Sequence, residues 1–183
     1  MRISLLAIVV FFCSASMDGQ RSSDSERRDL YLTPSAFRGL PREIAADLKR
    51  RGCLIPQYGS TGKPNNIIRG EFARPGQIDL AVLCSVRGVS SILVYWKGEV
   101  QAAASFAPLE DQGCLQKDSG GRLLFLRAIQ PVGRNFILEH YRAYGGPKPP
   151  SIDHHGIDDA FLEKASVVWY FEGHDWLKLT GAD

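Results

Sequence analysis

The sequence has little net charge for its length. Its 183 residues include 22 basic and 20 acidic side chains, which give a formal net charge of +2, and only four histidines and four cysteines. A charge this close to zero argues against nucleic acid as a partner, because binding to the phosphate backbone requires clustered positive charge. The 44% of hydrophobic residues is enough for one globular domain, which we place at residues 31–183.

Long apolar runs are also rare, and the one present lies at the N-terminus. Arg2 precedes an unbroken apolar stretch from Ile3 to Phe12. Ser14 and Ser16 follow with the small-residue spacing of a cleavage site. This pattern predicts a secretory signal peptide at residues 1–16, because the stretch is too short to cross a bilayer comfortably.

The predicted mature chain begins with a polar stretch. Residues 17–30 lack hydrophobic spacing and are expected to form a flexible leader. Lipid attachment at Cys13 is disfavoured, because Phe12 stands where a lipoprotein signal peptidase expects a small residue. We therefore expect an exported protein, periplasmic or extracellular, with no transmembrane span in its mature chain.

Cleavage would leave three cysteines, an odd number. An oxidising compartment favours one disulfide and one free thiol. Cys84 ends an apolar strand and Cys53 follows a predicted helix, whereas Cys114 lies in the polar stretch EDQGCLQKD. The favoured pairing is Cys53 with Cys84.

Hydrophobic spacing predicts an α+β fold of mostly antiparallel β-hairpins with two packed α-helices. One helix is predicted at Pro41 to Arg51 and the other at Val132 to Tyr144, begun by Pro131 and ended by Gly145. No helix alternates regularly with strands, which argues against a doubly wound parallel sheet. The predicted strands are 66–72, 78–84, 91–96, 100–106, 122–129, 160–163, 166–171 and 176–179.

Two segments of the chain match each other. Ile78 to Leu83 and Ile157 to Leu162 both read I-D-x-A-apolar-L after a glycine, and each is followed by an apolar strand with the same serine-to-glycine spacing. Two matches in the same order predict a repeated hairpin unit. The units are expected near residues 66–106 and 153–180, with Asp79 and Asp158 holding the turn before each strand.

The first copy, GEFARPGQIDLAVL at residues 70–83, resembles the unit of FG-GAP and VCBS-type repeats. The resemblance implies blades of secreted β-propellers, whose aspartate-rich turn often binds calcium. Ala73, Arg74 and Pro75 stand where that turn has its ligands, and a closed propeller needs about four or more blades, whereas this chain offers at most two units. The whole chain also resembles a group of exported bacterial proteins that end in a similar I-D-D-A-F…L-T-G-A-D stretch, and this resemblance implies no activity.

A polar cluster, DHHGIDD, occupies residues 153–159. Asp153, His155 and Asp158 form a candidate metal site, because carboxylate oxygens suit calcium and a histidine shifts the preference towards zinc. The alternative is structural, with Asp158 capping a turn and both histidines solvated. Apart from such a divalent cation, no cofactor is expected.

Other catalytic patterns fail on their chemistry. The DSGG at residues 118–121 matches the nucleophile loop of chymotrypsin-like proteases, but no histidine precedes Ser119, whereas that family orders its triad His, Asp, Ser. Cys84 shares an apolar face, where an inert thiol is more common than a nucleophile. His140 falls on the inner face of the second predicted helix.

These observations favour a small exported, non-enzymatic protein that binds an unknown protein or glycan partner. Five aromatic residues on predicted strands are candidates for the binding surface or, alternatively, for the core: Tyr95, Trp96, Trp169, Tyr170 and Trp176. The second functional hypothesis is a periplasmic metal-dependent hydrolase with its site at the 153–159 turn.

Overall fold

The computed structural model describes residues 30–59, 63–161 and 165–179. The predicted signal peptide and nearly all of the predicted leader lie outside the described residues. The described residues form two α-helices, α1 (Arg42–Arg50) and α2 (Arg134–Tyr144), and 12 β-strands, and every strand pair is antiparallel. The predicted α+β class is therefore confirmed. No helix in these ranges is long and apolar enough to cross a membrane.

The strands form two four-stranded sheets and two short ribbons. Sheet I contains β3 (Ile67–Gly70), β4 (Asp79–Val86), β5 (Val89–Tyr95) and β6 (Ala103–Glu110), in that spatial order. Sheet II contains β9 (Arg127–Val132), β10 (Gly156–Phe161), β11 (Ala165–Glu172) and β12 (Asp175–Lys178), also with sequence neighbours adjacent. The ribbons pair β1 (Tyr31–Leu32) with β2 (Ile55–Pro56), and β7 (Leu115–Lys117) with β8 (Leu123–Phe125).

Three apolar clusters place these elements in four layers. In the first cluster, Ile44 and Leu48 of α1 pack on one face of sheet I, at Leu80 and Leu93. In the second, the opposite face of sheet I, including Ala81, packs against sheet II. The third cluster packs Ile137 of α2 on the outer face of sheet II, at Val168 and Tyr170. The order of layers is therefore α1, sheet I, sheet II and α2.

A tight two-residue turn joins β4 to β5. Arg87 and Gly88 are its two central residues, with φ values of 53° and 82°. Positive φ at both positions is typical of the tight turn whose twist matches that of antiparallel strands. The hairpin aligns β4 and β5 along seven residue pairs, and β4 is buried over nearly its whole length.

The two matching hairpins differ in register. In sheet I, Leu80 pairs with Tyr95. The sequence match would make Asp159 and Tyr170 the corresponding pair, but Asp159 pairs with Val167, three residues away. The match between the sequences therefore does not extend to the pairing of the strands.

Several predicted boundaries were wrong. Pro131 does not begin the second helix but lies in β9, an edge strand, where a missing N–H is tolerated. The helix begins at Arg134, after Gly133. The predicted strand 122–129 is divided at Leu126 into β8 and β9. Strand β10 already begins at Gly156, four residues before the predicted strand.

Candidate functional site

The structure separates the side chains of the DHHGIDD segment. Asp153 is exposed, and its carboxylate accepts a hydrogen bond from the Tyr170 hydroxyl at 3.2 Å. His154 stacks on the Tyr170 ring, with centroids 4.3 Å apart. Asp158 does not lie in a turn but inside β10, where its side chain faces α2. Within the described ranges, no three His, Cys, Asp or Glu side chains form a group that could hold a metal ion.

His155 joins the loop before β10 in sheet II to the loop before β4 in sheet I. Its backbone N–H donates to the Glu71 carbonyl at 3.0 Å, and its ring Nδ1 accepts from the Glu71 N–H at 3.1 Å. An accepting Nδ1 carries no proton, so the neutral ring has its proton on Nε2. His155 therefore acts as a bridge between the loops, and Nδ1 is occupied by that contact.

Asp158 is one member of a polar cluster between sheet II and α2. The Asp158 carboxylate accepts hydrogen bonds from the Gln130 amide at 2.8 Å and from the Ser166 hydroxyl. His140 on α2 contacts the same hydroxyl through Nε2, at 3.2 Å. Asp158 and His140 are only 2% and 8% exposed.

The direction of these hydrogen bonds decides their chemistry. A serine hydroxyl has a single proton, and an ionised carboxylate can only accept. Ser166 therefore donates to Asp158, and His140 donates its Nε2 proton to Ser166. A serine nucleophile needs the reverse, with the histidine accepting the hydroxyl proton. The cluster stabilises the contact of α2 with sheet II and does not activate Ser166.

The corresponding turn in sheet I is built around Asp79. The Phe72 and Ala73 N–H groups donate to its Oδ2 at 3.0 Å, as predicted for a turn-holding aspartate. The Gln77 amide and the Lys97 N–H donate to Oδ1 at 2.8 Å. Four N–H donors thus surround the Asp79 carboxylate, and Asp79 and Asp158 have different roles.

The cysteines follow the predicted arrangement. Cys53 and Cys84 form a disulfide that joins the chain after α1 to β4, while Cys114 is a buried free thiol. Burial raises the pKa of Cys114 to about 11, so the unreactive thiol form dominates at neutral pH.

The predicted aromatic surface is partly core. Tyr95 and Tyr170 are 0% and 1% exposed. The Tyr95 hydroxyl donates to the buried Asp47 carboxylate at 2.8 Å, and burial, followed by this bond, raises the pKa of Tyr95. The other three predicted residues, Trp96, Trp169 and Trp176, join Phe106 and Phe171 in one cluster of partly buried rings.

Arg127, a buried cation that the sequence analysis missed, also links the two sheets. It makes paired hydrogen bonds of 2.8 Å to Asp159 in sheet II. Its remaining three N–H groups donate to the carbonyl and hydroxyl oxygens of Ser90 and to the carbonyl of Ala107, in sheet I. All five guanidinium donors are therefore satisfied inside the protein. The arginine inside the apolar stretch LLFLRAI, residues 123–129, was the available signal.

A concave site of about 680 Å³ lies beside the first apolar cluster. We call it the α1–β3 groove, after the turn that precedes α1 and strand β3, which form its walls. One wall is the turn from Phe37 to Leu40, which precedes α1 and is closed by a backbone hydrogen bond of 3.1 Å. The other wall is β3. The lining residues are Ala36, Phe37, Arg38, Gly39, Leu40, Pro64, Ile67, Arg69 and Leu80.

Strand register explains which side chains of β3 reach the groove. Ile67 pairs with Val82, and Arg69 pairs with Leu80. Paired residues lie on the same face of a sheet, so Ile67 and Arg69 share the face that α1 covers. The Arg69 guanidinium then donates to the Gly39 carbonyl at 3.2 Å, across the groove from its own strand.

Comparisons with known proteins returned no similar protein: no family model, no curated protein and no solved structure matches this chain.

Proposed function

We propose that this chain is an exported, non-enzymatic binding protein that holds a small, largely apolar ligand in the α1–β3 groove. The observation that carries the proposal is the groove itself. Its volume of about 680 Å³ falls within the range of small-molecule sites, roughly 300 to 1,000 Å³. Its lining is mostly apolar with a few polar groups, which is also typical of such sites.

Two further features support a binding role in an exported protein. The Cys53–Cys84 disulfide suits an oxidising compartment, and both cysteines belong to the same apolar cluster as Leu80 of the groove lining. The chemically suggestive residues Ser166 and Asp158 are engaged in hydrogen bonds to neighbouring side chains. A binding function requires neither of them.

The test uses the neutral apolar dye Nile red, whose fluorescence rises in an apolar site. Binding to the wild-type protein is compared with binding to Ala36→Trp, which places a large ring at the lining of the groove. Leu109→Trp is the matched control, because Leu109 is 42% exposed and lies on β6, outside the groove. Saturable binding that Ala36→Trp abolishes and Leu109→Trp retains supports the proposal. Equal binding by all three proteins, or none, refutes it.

A further inference from the structure

We infer that the ligand of the α1–β3 groove is a small amphipathic anion, with its apolar part on the groove floor and its anionic group at Arg38 and Arg69. This inference rests on the proposed function and adds the chemical class of the ligand.

The floor of the groove is an extension of the first apolar cluster. Phe37, Leu40 and Ile67 are partly buried and pack against that cluster, and Leu80, only 2% exposed, belongs to it. A ligand chain or ring placed here would cover apolar surface that the fold leaves partly open. Each buried methylene group should tighten binding by about fourfold, so the affinity should increase with the apolar size of the ligand.

The charges at the groove have one sign. Arg38 and Arg69 are its charged lining residues, and none of the described lining residues is acidic. Both arginines are exposed, and no ion pair of either is found within the described ranges. A guanidinium that borders an apolar site suits a carboxylate, sulfate or phosphate group, with which it can form paired hydrogen bonds.

The Arg69 side chain is already oriented for this role. Its hydrogen bond to the Gly39 carbonyl uses one of five N–H donors and holds the guanidinium at the Phe37–Leu40 turn. Arg38 belongs to the same turn, so both charges border the apolar floor. A cationic group in this position would be repelled by both side chains.

The size of the groove favours a single free molecule over a protein or a membrane. A stable protein interface buries more than about 1,000 Å² of surface, whereas this groove is a compact hollow between one turn and one strand. The test therefore uses free amphiphiles that share one alkyl chain and differ in their head group: decanoate, decanol and decyltrimethylammonium.

Affinities are measured by displacement of Nile red from the exported protein, below the micelle concentration of each amphiphile. Decanoate should bind about tenfold or more tightly than decanol, the gain expected of a charge-assisted hydrogen bond, and decyltrimethylammonium should bind most weakly. Arg69→Gln, and Arg38→Gln combined with it, should remove this preference, so that decanoate binds no more tightly than decanol. Arg134→Gln, an exposed charge on α2, is the control and should retain the preference.

The outcomes separate the two proposals. Equal affinities for the three amphiphiles, or a decanoate preference that survives the double substitution, would refute the anionic class but leave the binding function standing. Absence of displacement by every amphiphile, together with absence of Nile red binding, would refute the binding function as well.

Two further arms test other occupants. Sedimentation of the protein with phosphatidylglycerol vesicles, when free decanoate does not displace Nile red, would assign the groove to a membrane surface and overturn the inference. Displacement of Nile red by a peptide of residues 17–29 would assign the groove to the chain's own leader, with the same consequence.

Discussion

Arg127 and Asp159 form a bidentate ion pair at the contact between the two sheets, and both of its hydrogen bonds are 2.8 Å long. Arg127 is 2% exposed and also holds Ser90 and Ala107 of sheet I. Asp159 lies in the same sheet as Arg127, so separation of the sheets would keep this ion pair but break the three hydrogen bonds from the guanidinium to Ser90 and Ala107. Arg127 thus couples sheet I to sheet II.

Replacement of Arg127 by methionine should lower the free energy of unfolding by about 3 to 5 kcal/mol, because Asp159, only 11% exposed, would lose its cation. Urea unfolding measures the loss. Arg122→Met is the control: Arg122 pairs with Asp118 at the surface, and that substitution should cost less than about 1 kcal/mol. The double variant Arg127→Met/Asp159→Leu should recover part of the loss. A cost as small as that of the control would contradict the coupling role.

The His155 bridge predicts a difference between two substitutions. His155→Phe removes the acceptor for the Glu71 N–H and should cost about 1 kcal/mol. His155→Asn keeps an acceptor near the position of Nδ1 and should cost less. Thermal or urea unfolding provides the comparison, with the exposed His174→Asn as the neutral control. Equal costs for the two His155 variants would show that the bridge does not contribute.

The buried Asp47 carboxylate predicts a specific pH dependence of stability. Burial alone would raise its pKa, but hydrogen bonds from Arg51 and Tyr95 and the charges of Arg51 and Arg50 outweigh it and lower the pKa below its usual range. A lowered pKa stabilises the fold above the pKa of the unfolded chain, and this stabilisation is lost as pH falls through the folded pKa.

Unfolding free energies should therefore decrease below about pH 5 in the wild type and less steeply in Asp47→Asn. Urea unfolding across the acidic range measures both slopes. Asp175→Asn, an exposed carboxylate on β12, serves as the control and should follow the wild type. Identical slopes for the wild type and Asp47→Asn would contradict the account of Asp47.

The Ser166 cluster predicts structure without nucleophilic reactivity. Ser166→Ala should lower the free energy of unfolding by about 1 to 3 kcal/mol, because the buried Asp158 would lose a donor. A fluorophosphonate probe, which modifies activated serines, should leave Ser166 unlabelled in intact-mass measurements. Covalent labelling of the folded wild type that Ser166→Ala abolishes would reverse this conclusion.

The separation of Asp153, His155 and Asp158 predicts the result of a metal titration. Calcium or zinc should produce no saturable rise in melting temperature, because each of the three side chains has its own protein partner. A saturable rise that Asp158→Ala abolishes would instead favour the metal-dependent hydrolase.

Local chemistry made part of the fold predictable from the sequence. The apolar runs of β4 and β5 and the spacing of Ile44 and Leu48 determine the long hairpin and α1, because neighbouring residues decide both. The Cys53–Cys84 pairing followed from the same elements. The start of α2 was misplaced, because Pro131 fits either the first turn of a helix or an edge strand, and pairing with β10 decides between them.

Long-range contacts limited the prediction of the site. Proximity in the sequence suggested that the polar groups of DHHGIDD act together, but adjacent residues of a strand point to opposite faces. Asp158 therefore faces α2, and Asp159 faces Arg127 between the sheets. The groove depends on residues 36–40 meeting β3, which is distant in the sequence, and no local pattern indicates such a contact.

The most direct test of the central claim is a backbone-amide NMR titration of the protein with decanoate. Our account predicts saturable shifts that are concentrated at the groove lining, at residues 36–40, 67–69 and 80, and that are absent in Ala36→Trp. Saturable shifts confined to the aromatic cluster or to the 153–159 segment, or no shifts at concentrations that displace Nile red, would contradict it.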